Sequence, residues 1–241
     1  MTSTILIGPG KWGKIVLENL RKYSKLSGIY NSKSNLKNEF ISEIDWAVIC
    51  TTNITHYKII NILLDKGTNI FCEKPLTLSS DQSTEVINKA NKLGLKIYVN
   101  HIENFKNIKL NIKRENKIYR SKIASKNFEQ ILFDLAYHDI YLILKYIDID
   151  NINISSIKFL DNKLSFTIQS DNKIFKFFYD LNSEKKHEIN NENIISDKNL
   201  LPNIFSKVFS LNIDFDLNNK EAIYCNLILE RIIKKYNLKN L

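Results

Sequence analysis

Asp134 and His138 stand four residues apart in a stretch with helical apolar spacing, and Lys74 sits between Glu73 and Pro75 after a short apolar run. Residues four apart on a helix share one face. A histidine titrating near neutrality can take a hydroxyl proton, and a lysine ammonium can stabilise charge developing on the oxygen left behind. Singly, each has an ordinary reading. An Asp and a His on a helix are usually a surface pair, and a loop lysine is usually solvated. Their weight comes from a third feature upstream, the complete Gly-x-Gly-x-x-Gly of Gly8-Pro9-Gly10-Lys11-Trp12-Gly13.

That motif depends on its context. Thr4 to Ile7 reads as a buried strand, and Lys14 to Tyr23 reads as a helix with Ile15, Val16, Leu17 and Leu20 on its apolar side. Strand, glycine turn and helix together cradle a dinucleotide. Gly8 makes the turn, Gly10 admits the pyrophosphate, and Gly13 lets helix pack on strand. The helix N-terminus offers free N–H groups to phosphate, and Lys11 can add a charge there or simply be solvated. The competing reading is a glycine turn in some other α/β protein.

Cofactor choice is read about 20 residues past the glycines, where an NAD site usually carries a carboxylate for the ribose 2′-hydroxyl. Here the strand Leu26–Tyr30 runs into Asn31-Ser32-Lys33-Ser34. Ser32 and Lys33 can bind a 2′-phosphate, while Asn31 can also bond a free ribose. The expectation is NADP(H) in preference, with NAD(H) possible.

The elements that must position these groups alternate through the first hundred residues, as in βαβ units with a parallel sheet. Further strands are expected at 46–50, 69–72 and 96–99, and helices at about 55–66 and from Ser79 or Ser80 to Leu93, closed by Gly67 and Gly94. The pattern then changes. The stretch 104–126 is basic, polar and without assignable pattern, and 134–147 is helical. The stretch 152–180 alternates as a meander turning at Asp171-Asn172. The stretch 183–198 reads as a loop with His187 exposed, before helices at about 202–211 and 220–236. The fold class expected is α/β, with a dinucleotide-binding domain over 1–101 and a smaller α+β domain over 102–241.

Composition bounds the rest. The chain has 241 residues, 44% hydrophobic and 25% charged, as in an ordinary globular protein. No apolar stretch is long enough to span a bilayer, and no basic, apolar leader precedes the first strand, so no membrane association and a cytoplasmic location are expected. Cys50, Cys72 and Cys225 suggest neither disulfides nor a metal site, and Cys50 and Cys72 read as small core residues. The net charge of +9 comes from scattered lysines without a nucleic-acid-binding signature, so no nucleic acid partner is expected.

Four pieces in order resemble the glucose–fructose oxidoreductase/inositol dehydrogenase (Gfo/Idh/MocA) family. They are the glycine motif Gly8 to Gly13, Thr51-Thr52-Asn53 with His56, Cys72-Glu73-Lys74-Pro75-Leu76, and Asp134-Leu135-Ala136-Tyr137-His138-Asp139. The resemblance implies a Rossmann domain followed by an open-sheet domain whose exposed face often forms a homodimer. It makes His138 the acid/base, Asp134 its orienting partner or a substrate contact, and Lys74 a hydrogen-bond donor to the substrate oxygen and the nicotinamide ribose. Thr51, Thr52, Asn53, His56 and Glu73 would line the cofactor cleft. From its place in the chain, His56 at a helix start can equally cap or pack, and His101, ending the last strand, can touch substrate or be a linker residue. The chain departs from the family pattern at Tyr141, where many relatives carry a second aspartate. It also lacks the arginine–aromatic pair common after the last strand, and its second domain is short.

The function implied is an NAD(P)-dependent oxidoreductase interconverting a secondary alcohol and ketone on a sugar, cyclitol or sugar nucleotide. Two rivals keep the fold. A reductase of a C=N or conjugated bond would tolerate loss of His138, and a non-catalytic dinucleotide-binding protein would have no use for Lys74, Asp134 and His138.

Overall fold

The computed structural model describes residues 1–31, 34–39, 44–195 and 198–239. Five short apolar runs form a wholly parallel sheet in the order β2-β1-β3-β4-β5, from β1 (Ser3–Ile7), β2 (Lys25–Tyr30), β3 (Trp46–Ile49), β4 (Asn69–Cys72) and β5 (Ile97–Val99). Such runs need both faces covered. Alternate residues serve the two faces. Ile5, Ile7, Ala47, Ile49, Ile70 and Val99 join α3 (Asn53–Leu64) and α4 (Ser80–Lys92) in one cluster. Leu6, Trp46, Val48, Phe71 and Tyr98 join α1 (Lys11–Tyr23) in the other. A one-turn helix, α2 (Leu36–Glu39), follows β2. Ser79 caps α4, its hydroxyl accepting the Gln82 N–H at 3.1 Å. Gly67 and Gly94 take the left-handed conformation after α3 and α4.

Contacts divide the chain into two units, Met1–Phe105 with Asn199–Ile223, and Lys106–Lys198 with Tyr224–Leu241. The chain leaves the first unit after Phe105, returns to it at Asn199 and leaves again after Ile223. The reason is apolar burial. Helix α7 (Leu201–Phe209) carries Ile204, Phe205 and Val208 into the core beside α1, and Phe205 meets Phe71 at 5.2 Å between ring centroids. The next helix, α8 (Phe215–Lys239), begins by sealing a sheet edge. Asn218 accepts the Val99 N–H at 2.8 Å and donates to its carbonyl at 3.0 Å, so the edge strand β5 meets an amide in place of another strand.

The second unit is built on a six-stranded sheet in the order β11-β10-β6-β9-β8-β7. Its strands are β6 (Glu115–Ser121), β7 (Ile152–Leu160), β8 (Lys163–Ser170), β9 (Lys173–Asp180), β10 (Lys186–Ile189) and β11 (Glu192–Asn193). All pairs are antiparallel except β6 with β9. The turn at Asp171 is where the sequence places it, with a positive φ of 50°. Two expectations need correction. The unassigned stretch 104–126 contains β6, and the loop expected over 183–198 contains β10 and β11. In β6 the polar Asn116 and Ser121 are buried, and in β10 His187 is buried with Ile189. Polar residues on the buried side hid the alternation.

The helical stretch begins before Asp134. Helix α5 (Phe128–Ile131) starts at a reciprocal cap, Asn127 with Gln130, and passes into one loosely wound π turn, Leu132–Ala136, before α6 (Tyr137–Ile143). Among the described residues, no helix is long and apolar enough to cross a membrane.

Candidate functional site

The glycine motif lies where β1 meets α1. Gly8 has φ +94°, and a Cβ there would stand 2.7 Å from the backbone of Cys50 and Thr51 at the end of β3. A Cβ on Gly13 would stand 2.1 Å from the Gly8 carbonyl oxygen. Both positions exclude any side chain, so loop, helix and neighbouring strand close tightly on one another. Gly10 differs, since a Cβ there would meet nothing within 4 Å. Bare backbone faces open space at Gly10, next to the first turn of α1, whose N-cap makes no side-chain hydrogen bond. That cradle fits a phosphate group.

A cleft of about 860 Å³ opens beside it. Gly8, Gly10, Thr51 and Thr52 line one part, and Asn31, Ser34, Asn35, Leu36, Ile54 and Lys58 line others. Lys58 is the charged residue of this lining, and no carboxylate contributes to it among the described residues. Ser32 and Lys33 lie outside the described residues. Asn53 is the first residue of α3, next to the lining residues Thr52 and Ile54. Lys11 and Trp12 open α1.

Trp12 reaches away from the phosphate cradle. Its indole N–H donates to Glu73 Oε1 at 2.7 Å, and the Asn100 amide donates to the same oxygen at 2.9 Å. The glycine motif, the end of β4 and the end of β5 are therefore joined at one carboxylate. Burial pushes the Glu73 carboxyl above its ordinary pKa, while Trp12, Asn100 and Lys74 pull it back. Asn100, absent from the expected site, is 2% exposed, and no partner meets its Oδ1 among the described residues. Lys74 follows Glu73, is half-buried, and is joined to Pro75 by a cis peptide bond.

His56 is completely buried. Its Nδ1 lies 2.9 Å from the Pro75 carbonyl and its Nε2 3.1 Å from that of Thr51. Burial lowers its pKa, so the ring is held neutral between two loops of the site, the packing role open to it from the sequence. His101 is also buried, at 1%. The Val99 N–H fixes which end of the Asn218 amide is oxygen, so it is the amide nitrogen that faces His101 Nδ1 at 3.1 Å. His101 Nδ1 is therefore an acceptor and Nε2 carries the hydrogen of the neutral ring. Burial raises the thiol pKa values of Cys50 and Cys72, as for inert core thiols.

In the second unit, every residue from Ile131 to Leu144 is buried except Asp134 and His138, which are half-buried. The two residues singled out by chemistry are thus the two that this apolar stretch leaves accessible. Asp134 lies in the π turn, a feature frequent at functional sites, and its carboxylate pairs with Lys126. Lys126 was not anticipated, because the pair joins residues on either side of the α5 cap.

His187 overturns its expected exposure. It is 6% exposed, and its Nε2 lies 2.6 Å from Oδ1 of the fully buried Asp139, which also receives Arg120 Nη2 at 3.0 Å. Arg120 pairs in register with His187 on one side and Tyr179 on the other. Asp139 carried a readable signal, a carboxylate within a helix turn that is otherwise apolar. Its partners carried none.

Residues 7–101 match the model of an oxidoreductase family with an NAD-binding Rossmann fold. The chain is 23% identical over 115 residues to UDP-N-acetylglucosamine 3-dehydrogenase of Acidithiobacillus ferrooxidans, a match spanning 42% of this chain and 37% of that protein. Similar solved structures cover nearly the whole chain. A dehydrogenase (MviM) from Clostridium difficile matches 97% of it and 99% of its own length, with TM-score 0.77 and 21% identity. The A. ferrooxidans enzyme matches 95% of both chains, with TM-score 0.77 and 14% identity. The WlbA dehydrogenase of Thermus thermophilus, solved with NAD and UDP-GlcNAcA, matches 95% and 94%, with TM-score 0.72 and 13% identity. The matched segment, which holds the glycine motif and Glu73-Lys74-Pro75, is thus similar to the NAD-binding Rossmann domain of the Gfo/Idh/MocA oxidoreductases, and the chain shares its two-sheet fold with these dehydrogenases.

Proposed function

We propose that the chain is an NAD(P)-dependent oxidoreductase interconverting a secondary alcohol and a ketone, with a sugar nucleotide as the favoured member of a class that includes sugars and cyclitols. The observation that carries this reading is the Trp12–Glu73 hydrogen bond, which ties the phosphate-binding turn to the strand end bearing Lys74. The relatives support the substrate class, since one is named for UDP-N-acetylglucosamine and another was solved with UDP-GlcNAcA.

Gly8, Gly10, Thr51 and Thr52 would hold the dinucleotide. The chemistry supplied by a bound nicotinamide is hydride exchange with the substrate carbon. Lys74 donates a hydrogen bond to the oxygen as charge develops on it, and His138 takes the hydroxyl proton in the oxidising direction and returns it in the reducing one. Asp134 orients the imidazole or contacts the substrate.

NADP(H) is preferred over NAD(H) in this reading, because the described lining of the cleft holds Asn31, Ser34, Asn35 and Lys58 and no carboxylate to repel a 2′-phosphate. The expected calorimetric result is tighter binding of NADPH than of NADH, weakened by Lys33→Ala. Equal or tighter NADH binding, indifferent to Lys33→Ala, sinks the preference. A homodimer or higher homo-oligomer through the outer face of the second sheet and a cytoplasmic location complete the proposal. The three free thiols fit a reducing compartment.

The test of the activity is formation of reduced nicotinamide from NADP⁺ or NAD⁺ with UDP-N-acetylglucosamine, myo-inositol and glucose supplied separately. Turnover on at least one supports the reading. No turnover, together with no dinucleotide binding, overturns it.

A further inference from the structure

Asp139 follows His138 in the chain, is fully buried, and has no part in the reaction just described. A carboxylate is not left in such a place without partners to hold it. The sheet supplies them from one row. His187 of β10, Arg120 of β6 and Tyr179 of β9 are direct register partners. Asp139 Oδ1 is hydrogen-bonded to His187 Nε2 at 2.6 Å and forms an ion pair with Arg120 Nη2 at 3.0 Å. With the hydrogen on Nε2 facing the carboxylate, His187 Nδ1 keeps a lone pair 2.9 Å from Arg120 Nη2, which donates to it and also lies 3.0 Å from Nε2. Asp139 Oδ2 and Arg120 Nε meet no hydrogen-bond partner among the described residues.

Such a network does something that apolar packing does not. Helix α6 buries Tyr137, Ile140, Tyr141, Leu142 and Ile143, but apolar contact is non-directional and tolerates small rotations. A hydrogen bond to a fixed imidazole, with a planar guanidinium paired to the same oxygen, is directional. The π turn immediately before α6 makes this matter. It interrupts the regular α ladder, so the helical phase at His138 does not follow from the turns preceding it.

We propose that Asp139 is a positioning residue for His138, with Arg120 and His187 anchoring it to β6 and β10 so that the turn bearing the acid/base is fixed in rotation. The proposal rests on the functional reading above, because it takes His138 as the acid/base.

The chain has four histidines, His56, His101, His138 and His187, so their imidazole ¹⁵N signals can be assigned and followed in the full-length protein without turnover. Two variants test the proposal. Asp139→Asn removes the charge, and His187→Gln removes one anchor while keeping the Arg120–Asp139 pair, so it remains informative if Asp139→Asn does not fold. In both, the His138 signals are expected to shift or broaden while those of His56 and His101 stay in place. With UDP-N-acetylglucosamine as the probe substrate, kcat should fall about 10- to 100-fold at unchanged KM, the scale of a misplaced catalytic group. His138 signals that coincide with wild type in the folded variants overturn the positioning role. Undiminished turnover in His138→Ala overturns the functional reading instead, and with it the reason for positioning that ring.

Discussion

Glu73 and Asp139 are the same kind of group in the same predicament, one in each unit and each beside a side chain proposed to react. Glu73 precedes Lys74, and Asp139 follows His138. Burial pushes both carboxyl pKa values upward. The outcomes are opposite, Glu73 ending raised and Asp139 lowered, because their partners differ. Glu73 leans chiefly on two neutral donors, Trp12 and Asn100, whereas Asp139 has the Arg120 guanidinium and the His187 ring. Neutral N–H groups stabilise a buried anion less than a full cation does. One carboxylate is therefore poised between its protonated and ionised forms, and the other is locked as the anion.

The largest effects are expected where the reacting groups themselves are removed. His138→Ala should lower turnover by about 100-fold or more, the usual scale of general acid–base catalysis. Lys74→Ala should do comparable damage and also weaken dinucleotide binding, since a donor to the developing oxyanion is lost. Asp134→Asn should be milder, because its carboxylate is partly exposed and already pairs with Lys126. Steady-state kinetics on whichever of the three candidate substrates is turned over decides the order. If His138→Ala is nearly silent, reduction of a C=N or conjugated bond becomes the better reading.

Next in size are effects on stability, which separate the two carboxylates directly. Arg120→Ala leaves Asp139 buried without its cation and should cost about 3–5 kcal/mol, the range for breaking a buried ion pair. Trp12→Phe removes one neutral donor from Glu73 and should cost about 1 kcal/mol. Urea unfolding of both variants checks the contrast, and equal losses would erase the distinction between a locked and a poised carboxylate.

How much of this could be read in the residues depended on how local each requirement was. Gly8 and Gly13 announce themselves because a Cβ at either would strike backbone only a few residues away or at an adjacent strand end. The parallel strands were legible because burial on both faces makes them continuously apolar, and Asp134 and His138 because their spacing is a property of one helix. The Asp139 network was not legible. It joins His187 to Arg120 across 67 residues, and it depends on a register that only the assembled sheet defines. The same polar residues, turned inward, disguised β6 and β10 as loops. Asn100 was missed for a related reason, since its amide acquires meaning only when the ends of β4 and β5 are side by side.

The smallest expected effect is on pH dependence, where the two carboxylates should act with opposite signs. Asp139 has a folded pKa below its unfolded value, about 3.9 for a free Asp, so its contribution to stability is present above that value. That contribution is lost as pH falls through the folded pKa. Glu73 has a folded pKa above its unfolded value of about 4.3, so the folded state binds its proton more tightly than the unfolded state does. Its contribution is an opposition to folding at neutral pH, relieved as pH falls through the folded pKa. On acidification Glu73 should therefore favour the folded state first, and Asp139 should then disfavour it at lower pH. Other carboxylates titrate in the same range, so the readout is the difference from wild type. Denaturation midpoints from neutral pH downward should show Glu73→Gln gaining relative to wild type at the upper end, an advantage that fades on acidification. Asp139→Asn should show a deficit at neutral pH that narrows only in the most acidic part of the range. Two difference curves of the same sign would mean that Arg120 and His187 do no more for Asp139 than Trp12 and Asn100 do for Glu73.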